Sequence, residues 1–260
     1  MILDEIVRQT KQRVKKEKEL ISLSQMIALS NEAHAVPFLF ERKLSYPGMH
    51  VICEVKKASP SKGVLVNDFN YKEIAMDYEK AGADAISVLT EPYFFQGSNL
   101  YLKEIKEVVS VPILRKDFTV DEYQIYQAKA LGADCVLLIC AILGEEQLKS
   151  YISLCRSLGL SAIVEVHNQR EVAMALRAQA TMIGVNNRNL KDFTVDINNS
   201  IRLRTLIPEE IIMIAESGIH NASQVFELQQ SKVNAILIGE TLMKANNKVE
   251  ALCQLRGECG

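Results

Sequence analysis

A carboxylate and an ammonium group two residues apart close the apolar run Val51-Ile52-Cys53-Glu54-Val55-Lys56. Alternate residues of a strand point the same way, so Glu54 and Lys56 share one face. A strand face that ends on this pair is either a solvated ion pair or a place for proton transfer. Pro60 and Gly63 then end the strand and open the loop Ser59-Pro60-Ser61-Lys62-Gly63. Similar endings recur along the chain, as Arg115-Lys116-Asp117-Phe118, Glu165-Val166-His167, Asn186-Asn187-Arg188-Asn189, Glu216-Ser217-Gly218 and Gly239-Glu240-Thr241. Lys56, Lys116 and Arg188 supply positive charge for an anionic substrate, and Glu54, Glu165 and Glu216 supply bases and orienting carboxylates. Lysines crowded at one rim repel one another, which lowers their pKa values and brings a general acid within reach near neutral pH. Phe95 and Phe118 offer an apolar wall for an aromatic substrate, with core packing an equal reading for Phe118. Taken singly, each of these groups reads as an ordinary loop charge; their recurrence after strand upon strand points to one shared site.

Such groups converge only if the strands are arranged in a ring. Short β-branched runs begin near Val51, Ala85, Val111, Cys135, Ala162, Met182, Ile211 and Ala235, with helical patterns between them. Tyr71–Ala81, Asp121–Leu131, Glu145–Leu158, Asn168–Gln179 and Ala222–Gln230 carry the helical spacing. Eight strands alternating with helices predict an α/β fold, a (β/α)8 TIM barrel. No GxGxxG or phosphate loop follows the first strand, and the charges do not gather at one switch point, which disfavours an open doubly wound sheet. The joints Ala81-Gly82-Ala83-Asp84-Ala85 and Leu131-Gly132-Ala133-Asp134-Cys135 nearly repeat, and each glycine suits a helix C-cap of positive φ. Asp121, Asn168 and Asn221 suit N-caps. Residues 1–45 read as a helical extension and 46–260 as the barrel, together one domain. Glycine turns after strands seven and eight, Ser217-Gly218 and Gly239-Glu240-Thr241, fit the phosphate cradle of such barrels, with a short helix N-terminus adding its dipole. Glu240 must then turn its carboxylate away and offer only its backbone N–H.

Composition sets further bounds. The 260 residues are 48% hydrophobic, and the formal net charge is −2. That balance gives no footprint for nucleic acid or an anionic membrane. The charge run KQRVKKEKE from Lys11 mixes signs at helical spacing and reads as a solvated helix face. The N-terminus MILDEIVRQT carries acids where a secretion signal is basic, and no apolar run approaches the roughly 20 residues of a membrane span. Six cysteines without a CxxC, several inside apolar runs, fit buried reduced thiols of a cytoplasmic protein, with Cys259 exposed near the end. His34, His50, His167 and His220 lack ligand spacing, so no metal is expected.

The motifs Glu54-Val-Lys56-Lys-Ala-Ser59-Pro60-Ser61, Arg115-Lys116-Asp117-Phe118, Glu165-Val-His167, Gly184-Val-Asn186-Asn-Arg188-Asn-Leu190, Ala215-Glu216-Ser217-Gly218-Ile219 and Gly239-Glu240-Thr241-Leu-Met243 resemble, in order, those of indole-3-glycerol phosphate synthases. The resemblance runs over residues 1 to 250. It implies closure of the indole ring of tryptophan biosynthesis from 1-(2-carboxyphenylamino)-1-deoxyribulose 5-phosphate, with loss of carbon dioxide and water and without cofactor or metal. Carried over by motif, Lys116 is the general acid and Glu165 the base of the dehydration. Lys56 binds the anthranilate carboxylate or the phosphate and is a second candidate acid; Glu54 orients it and shares base duty. Asn186 and Glu216 position the ribulose part, Arg188 orients the carboxylates of the rim, and Ser59 contacts substrate beside Lys56. Ser217, Gly218, Gly239 and Glu240 cradle the phosphate, and Phe95 and Phe118 flank the anthranilate ring. Thr241 keeps a hydroxyl where family members often have serine. The expected partner is this small phosphorylated substrate, with no nucleic acid and no membrane. The expected state is a monomer, with a weak homodimer as the alternative. Residues 1–45 are expected to pack near the rim and help close over substrate. Rival readings are the pathway's isomerase barrel, disfavoured because strand six ends in Asn, a Schiff-base aldolase built on Lys116, and a barrel kept as a binding subunit.

Overall fold

Eight strands pair in parallel around a closed ring. They are β1 (His50–Val55), β2 (Ala85–Leu89), β3 (Ile113–Lys116), β4 (Cys135–Ile139), β5 (Ser161–Val166), β6 (Met182–Asn186), β7 (Ile212–Glu216) and β8 (Ala235–Ile238). Closure is made by β1, which pairs with β2 on one side and β8 on the other. The expected barrel is therefore the observed one, and no strand of the ring is left as an edge. This computed structural model describes residues 2–33, 36–189 and 192–258. Leu190 of the fourth motif, His34 and Cys259 lie outside the described residues.

Strand alternation builds two apolar layers. Val51, Cys53 and Val55 join Ile86, Val88 and Val136 in the layer beneath the helices. Ile52, Leu114, Leu137, Ile163, Met182 and Ile214 face the axis. The third strand begins at Ile113 rather than Val111, since Pro112 has no N–H to give a neighbour and supplies only its carbonyl, to Ile86 N at 3.0 Å.

Three helices precede the barrel, α1 (Ile2–Leu20), α2 (Leu23–Glu32) and α3 (Leu39–Leu44). Phe40 and Leu44 of α3 are fully buried against the axis cluster and close its N-terminal end, where Glu41 N donates to Ser161 Oγ at 3.2 Å. Burying two such side chains contributes roughly 1.5–3 kcal/mol each.

Outside the ring lie α4 (Tyr71–Lys80), α5 (Asn99–Lys106), α6 (Glu122–Ala130), α7 (Glu145–Ser157), α8 (Gln169–Arg177), α9 (Asn198–Arg204), α10 (Ala222–Gln230), α11 (Glu240–Lys244) and α12 (Lys248–Arg256). Asp121, Asn168 and Asn221 accept backbone N–H groups at the starts of α6, α8 and α10, as their types predict. Gly82 and Gly132 end α4 and α6 with φ of +84° and +88°. The helices α5, α9, α11 and α12 are short or weakly patterned, and periodicity alone did not single them out. On the side of the barrel away from α3, α1 lies against α6, with Val14, Met26 and Tyr123 forming a separate small core. Cys53, Cys135, Cys140 and Cys155 are buried free thiols, as expected. Cys253 departs from that expectation and is disulfide-bonded.

Candidate active site

The inward face of each strand changes character at its C-terminal end. Ile52 is followed on that face by Glu54 and Lys56, Leu114 by Lys116, Ile163 by Glu165, Ile214 by Glu216. Asn186 and Gly239 occupy the same level on β6 and just beyond β8. One layer above the apolar axis there is thus a ring of ionisable groups, with Glu54, Glu165 and Glu216 all buried. Leu89, Leu137, Ile139 and Leu237 form the apolar part of this floor.

Lys116 sits at the centre of the ring. Its Nζ lies 2.6 Å from Glu216 Oε2 and 3.3 Å from Glu165 Oε2. Glu165 Oε1 also accepts from Asn186 Nδ2 at 3.3 Å. Lys56 Nζ is 2.5 Å from Glu54 Oε1. The expectation of lysines lowering one another's pKa is overturned here, because the neighbours of Lys116 are carboxylates. Burial works against its charge, but Glu216, Glu165 and Glu54 outweigh that cost and hold its pKa above the ordinary value. The two carboxyls beside it diverge. Burial opposes ionisation of Glu165 as well, yet Lys116, His167 and Asn186 pull its pKa down. Glu216 is pushed up by burial and by the negative charges of Glu165 and Glu54, against the pull of Lys116. The Lys116 ammonium cannot serve both of its carboxylate neighbours equally. Glu216, whose Oε1 has no hydrogen-bond partner among the described residues, is the one that holds a proton most readily.

Two glycines leave space for these side chains. A Cβ on Gly239 would lie 2.5 Å from Glu54 Oε1 and 3.0 Å from Lys56 Nζ. A Cβ on Gly184 would collide with Glu216 Oε1. Gly239, expected as a phosphate contact, is what lets the Glu54–Lys56 pair stand at the ring.

Above the ring opens a cavity of about 470 Å³. That is ample for a drug-sized or metabolite-sized ligand. Every site residue singled out from the sequence lines it, including Ser59, Phe95, Phe118, Arg188, Ser217, Gly218 and Glu240. On one wall the rings of Phe95 and Phe118 stand 6.0 Å apart. Phe118 also packs on the axis core, so it belongs to the cavity wall and the core at once. Buried Glu91 sets the Phe95 loop by accepting the backbone N–H groups of Tyr93, Phe94 and Phe95. Opposite lie the turns after β7 and β8. The carboxylate of Glu240 is drawn to Lys244 Nζ at 2.7 Å, which neutralises it. The Thr241 hydroxyl donates to Ile219 O at 3.1 Å and meets His220 Nδ1 at 3.0 Å, so it clasps one turn to the other. Ile2, Leu3 and Ile6 of α1 and Phe193 and Val195 after β6 complete the lining, and Val195 closes directly over Gly218. The segment Ala58–Val64, expected as an open loop, pairs as a small antiparallel hairpin at the edge of the cavity.

The family model for indole-3-glycerol phosphate synthase matches residues 3–255. The chain belongs to the indole-3-glycerol phosphate synthase family. An indole-3-glycerol phosphate synthase of Lachnoclostridium phytofermentans is 53% identical, over 95% of this chain and 96% of that protein. One of Ruminiclostridium cellulolyticum is 52% identical over 99% of both. Among solved structures, 3-hexulose-6-phosphate synthase of Salmonella typhimurium overlays with a TM-score of 0.66 at 14% identity, covering 81% of this chain and 98% of that one. At that identity the likeness is one of fold.

Within the family's site, sequence reasoning passed over four features. Arg13 of α1 forms a buried ion pair with Asp117, next to Lys116. Gly184 and Glu91 shape the floor and wall from positions that carry no chemistry themselves. His167 lies 3.2 Å from Glu165. The Glu-Val-His spacing placed Glu165 and His167 on one strand face, which was the available signal. Among the described residues no group of three His, Cys, Asp or Glu is placed to hold a metal ion, and no helix is long and apolar enough to cross a membrane.

Proposed function

We propose that this cavity closes the indole ring of 1-(2-carboxyphenylamino)-1-deoxyribulose 5-phosphate, releasing carbon dioxide and water to give indole-3-glycerol phosphate, as the family name implies. The observation that carries the reading is the Lys116 ammonium held between Glu165 and Glu216 on the floor, with an aromatic wall on one side and two glycine turns on the other. The raised pKa keeps Lys116 protonated through neutral pH, the state an acid must start from.

In the first step the ring carbon that bears the carboxylate attacks the ketose carbonyl carbon. Lys116 delivers its proton to the carbonyl oxygen, and the aniline nitrogen lends its lone pair. Carbon dioxide then leaves, and its bonding electrons restore the aromatic ring. In the second stage the new hydroxyl takes a proton from Lys56, the second acid of the rim, and departs as water, while Glu165 removes the proton from the carbon next to nitrogen. A fixed ammonium in a water-poor cavity stabilises the developing alkoxide without reorganising. Phosphate held by Ser217, Gly218, Gly239 and the Glu240 backbone is a remote handle that folds the flexible chain over the ring. Lys56 binds the anthranilate carboxylate, oriented by Glu54, with Ser59 beside it. Arg188 and Asn186 hold the ribulose part together with Glu216, and Phe95 and Phe118 form the wall that flanks the anthranilate ring. A Schiff-base lysine must be neutral to attack, which the carboxylates around Lys116 oppose. The helices before residue 46 and the barrel act as one domain, a cytoplasmic monomer.

The purified protein, mixed with this substrate, is expected to produce indole fluorescence. Intact substrate and no signal above buffer would overturn the reading.

A further inference from the structure

His167 comes just past the end of β5, two residues after Glu165, and is largely buried. Its Nδ1 lies 2.9 Å from Glu171 Oε2, and its Nε2 lies 3.2 Å from Glu165 Oε1. Glu171 is itself fixed at the start of α8. It accepts the His167 backbone N–H at 2.8 Å and Asn168 Nδ2 at 2.8 Å, and its own N–H is capped by Asn168 Oδ1 at 3.1 Å. The His167 carbonyl is held from α9 by Asn199 Nδ2 at 3.2 Å. The ring therefore stands between two carboxylates, and only an imidazolium carries an N–H toward each. Nε2 is close enough for ion pairing although it is off the line of a good hydrogen bond.

Among the described residues, no such second cation touches the other carboxyl on the floor. Glu165 and Glu216 both contact Lys116, but Glu165 has Asn186 Nδ2 and His167 at its far oxygen, of which His167 is the one that can carry charge, while Glu216 Oε1 faces no partner. We propose that His167 is a positioning residue which, anchored at Nδ1 by Glu171, directs its second nitrogen at Glu165 and so makes Glu165, rather than Glu216, the ionised carboxylate beside Lys116. The proposal rests on the ring-closing reading above and assigns which floor carboxyl enters the reaction as a base. The charged and titratable groups facing this pair are Lys116 from β3, Glu216 from β7, Glu171 from α8 and the Cys140 thiol beyond β4, with Glu54 of β1 acting through Lys116. Burial, with Glu171 and Glu165 adding to it, pushes Cys140 up to about 12, so that group stays neutral. Burial disfavours charge on His167, but Glu165 and Glu171 raise its pKa to about 10, in keeping with the geometry.

The test has one arm free of catalysis. In the wild-type protein, the imidazole resonances of His167, assigned by their loss in His167→Gln, should stay in the imidazolium form to about pH 9. Titration near the ordinary histidine value of roughly 6.5 would overturn the proposal. In the second arm the pH profile of kcat/KM is compared for wild type, His167→Gln and Glu171→Gln. Removing the cation lets Glu165 take up a proton at higher pH, so the acid limb should move up by roughly one pH unit in His167→Gln and in the same direction in Glu171→Gln. KM should change less than kcat. An unmoved acid limb in a folded variant would overturn the proposal. Wild-type protein without turnover would instead overturn the ring-closing reading and leave the resonance arm to decide this one. Should His167→Gln fail to fold, the acid limb of Glu171→Gln still decides between the two outcomes.

Discussion

Arg13 Nη2 donates to both carboxylate oxygens of Asp117, at 2.9 and 2.8 Å, across the gap between α1 and the end of β3. Both side chains are buried, and Thr90 Oγ1, the Phe118 backbone N–H and Arg115 Nη2 also donate to Asp117, at 2.7, 2.8 and 3.4 Å. Lys116 and Phe118, which the site needs, flank Asp117 in sequence. The first helix is thus tied to the floor of the cavity through one carboxylate.

Arg13→Ala is expected to cost about 3–5 kcal/mol, since it strands a buried charge. Urea unfolding measures this. The variant should also raise KM, because α1 supplies Ile2, Leu3 and Ile6 to the cavity lining. A loss below about 1 kcal/mol would show that α1 is held mainly by its apolar contacts.

Asp117 gives a pH dependence with a definite sign. Burial alone would raise its pKa, but Arg13 and Arg115 hold it below the ordinary 3.8. A carboxylate depressed in the folded state adds stability above its unfolded pKa and loses it as pH falls through the folded one. Asp117→Asn should therefore be less stable than wild type at pH 7, and the gap should narrow below about pH 4. Urea midpoints at pH 7, 5 and 3 test this; a constant gap would contradict it.

Lys116→Met should lower kcat by at least roughly 10²–10⁴-fold, the usual contribution of a positioned acid, while substrate binding stays measurable. Near-normal kcat in this variant would move the acid role to Lys56.

Gly239→Ala places a methyl group 2.5 Å from Glu54 Oε1. What must move is the tip of a side chain, so thermal stability should change little. The Glu54–Lys56 pair should shift by about an ångström, and kcat/KM should drop by up to roughly 10². A stable variant of full activity would show that this pair tolerates displacement.

Much of the fold was legible because its determinants are local. The caps Asp121, Asn168 and Asn221, the C-cap glycines Gly82 and Gly132, and the alternation through Val51–Lys56 all act within a few residues. The site residues were legible for a related reason: on a parallel barrel, whatever follows a strand's last apolar residue lands on one rim. Helix α3 escaped notice because its six residues carry no period, and its place is set by the open end of the barrel that Phe40 and Leu44 fill.

By itself, then, the sequence determined which groups face the cavity. Tertiary structure decided what state those groups are in. Lys116 reads in sequence beside Arg115, yet in space it lies between Glu165 and Glu216, so its charge is held rather than repelled. Glu165 and Glu216 look equivalent as strand-end carboxylates, and the His167 cation and the Asn186 amide at the far oxygen of one of them make them differ. Coulombic interaction depends on separation through space and on the absence of water, and neither is written in the order of residues.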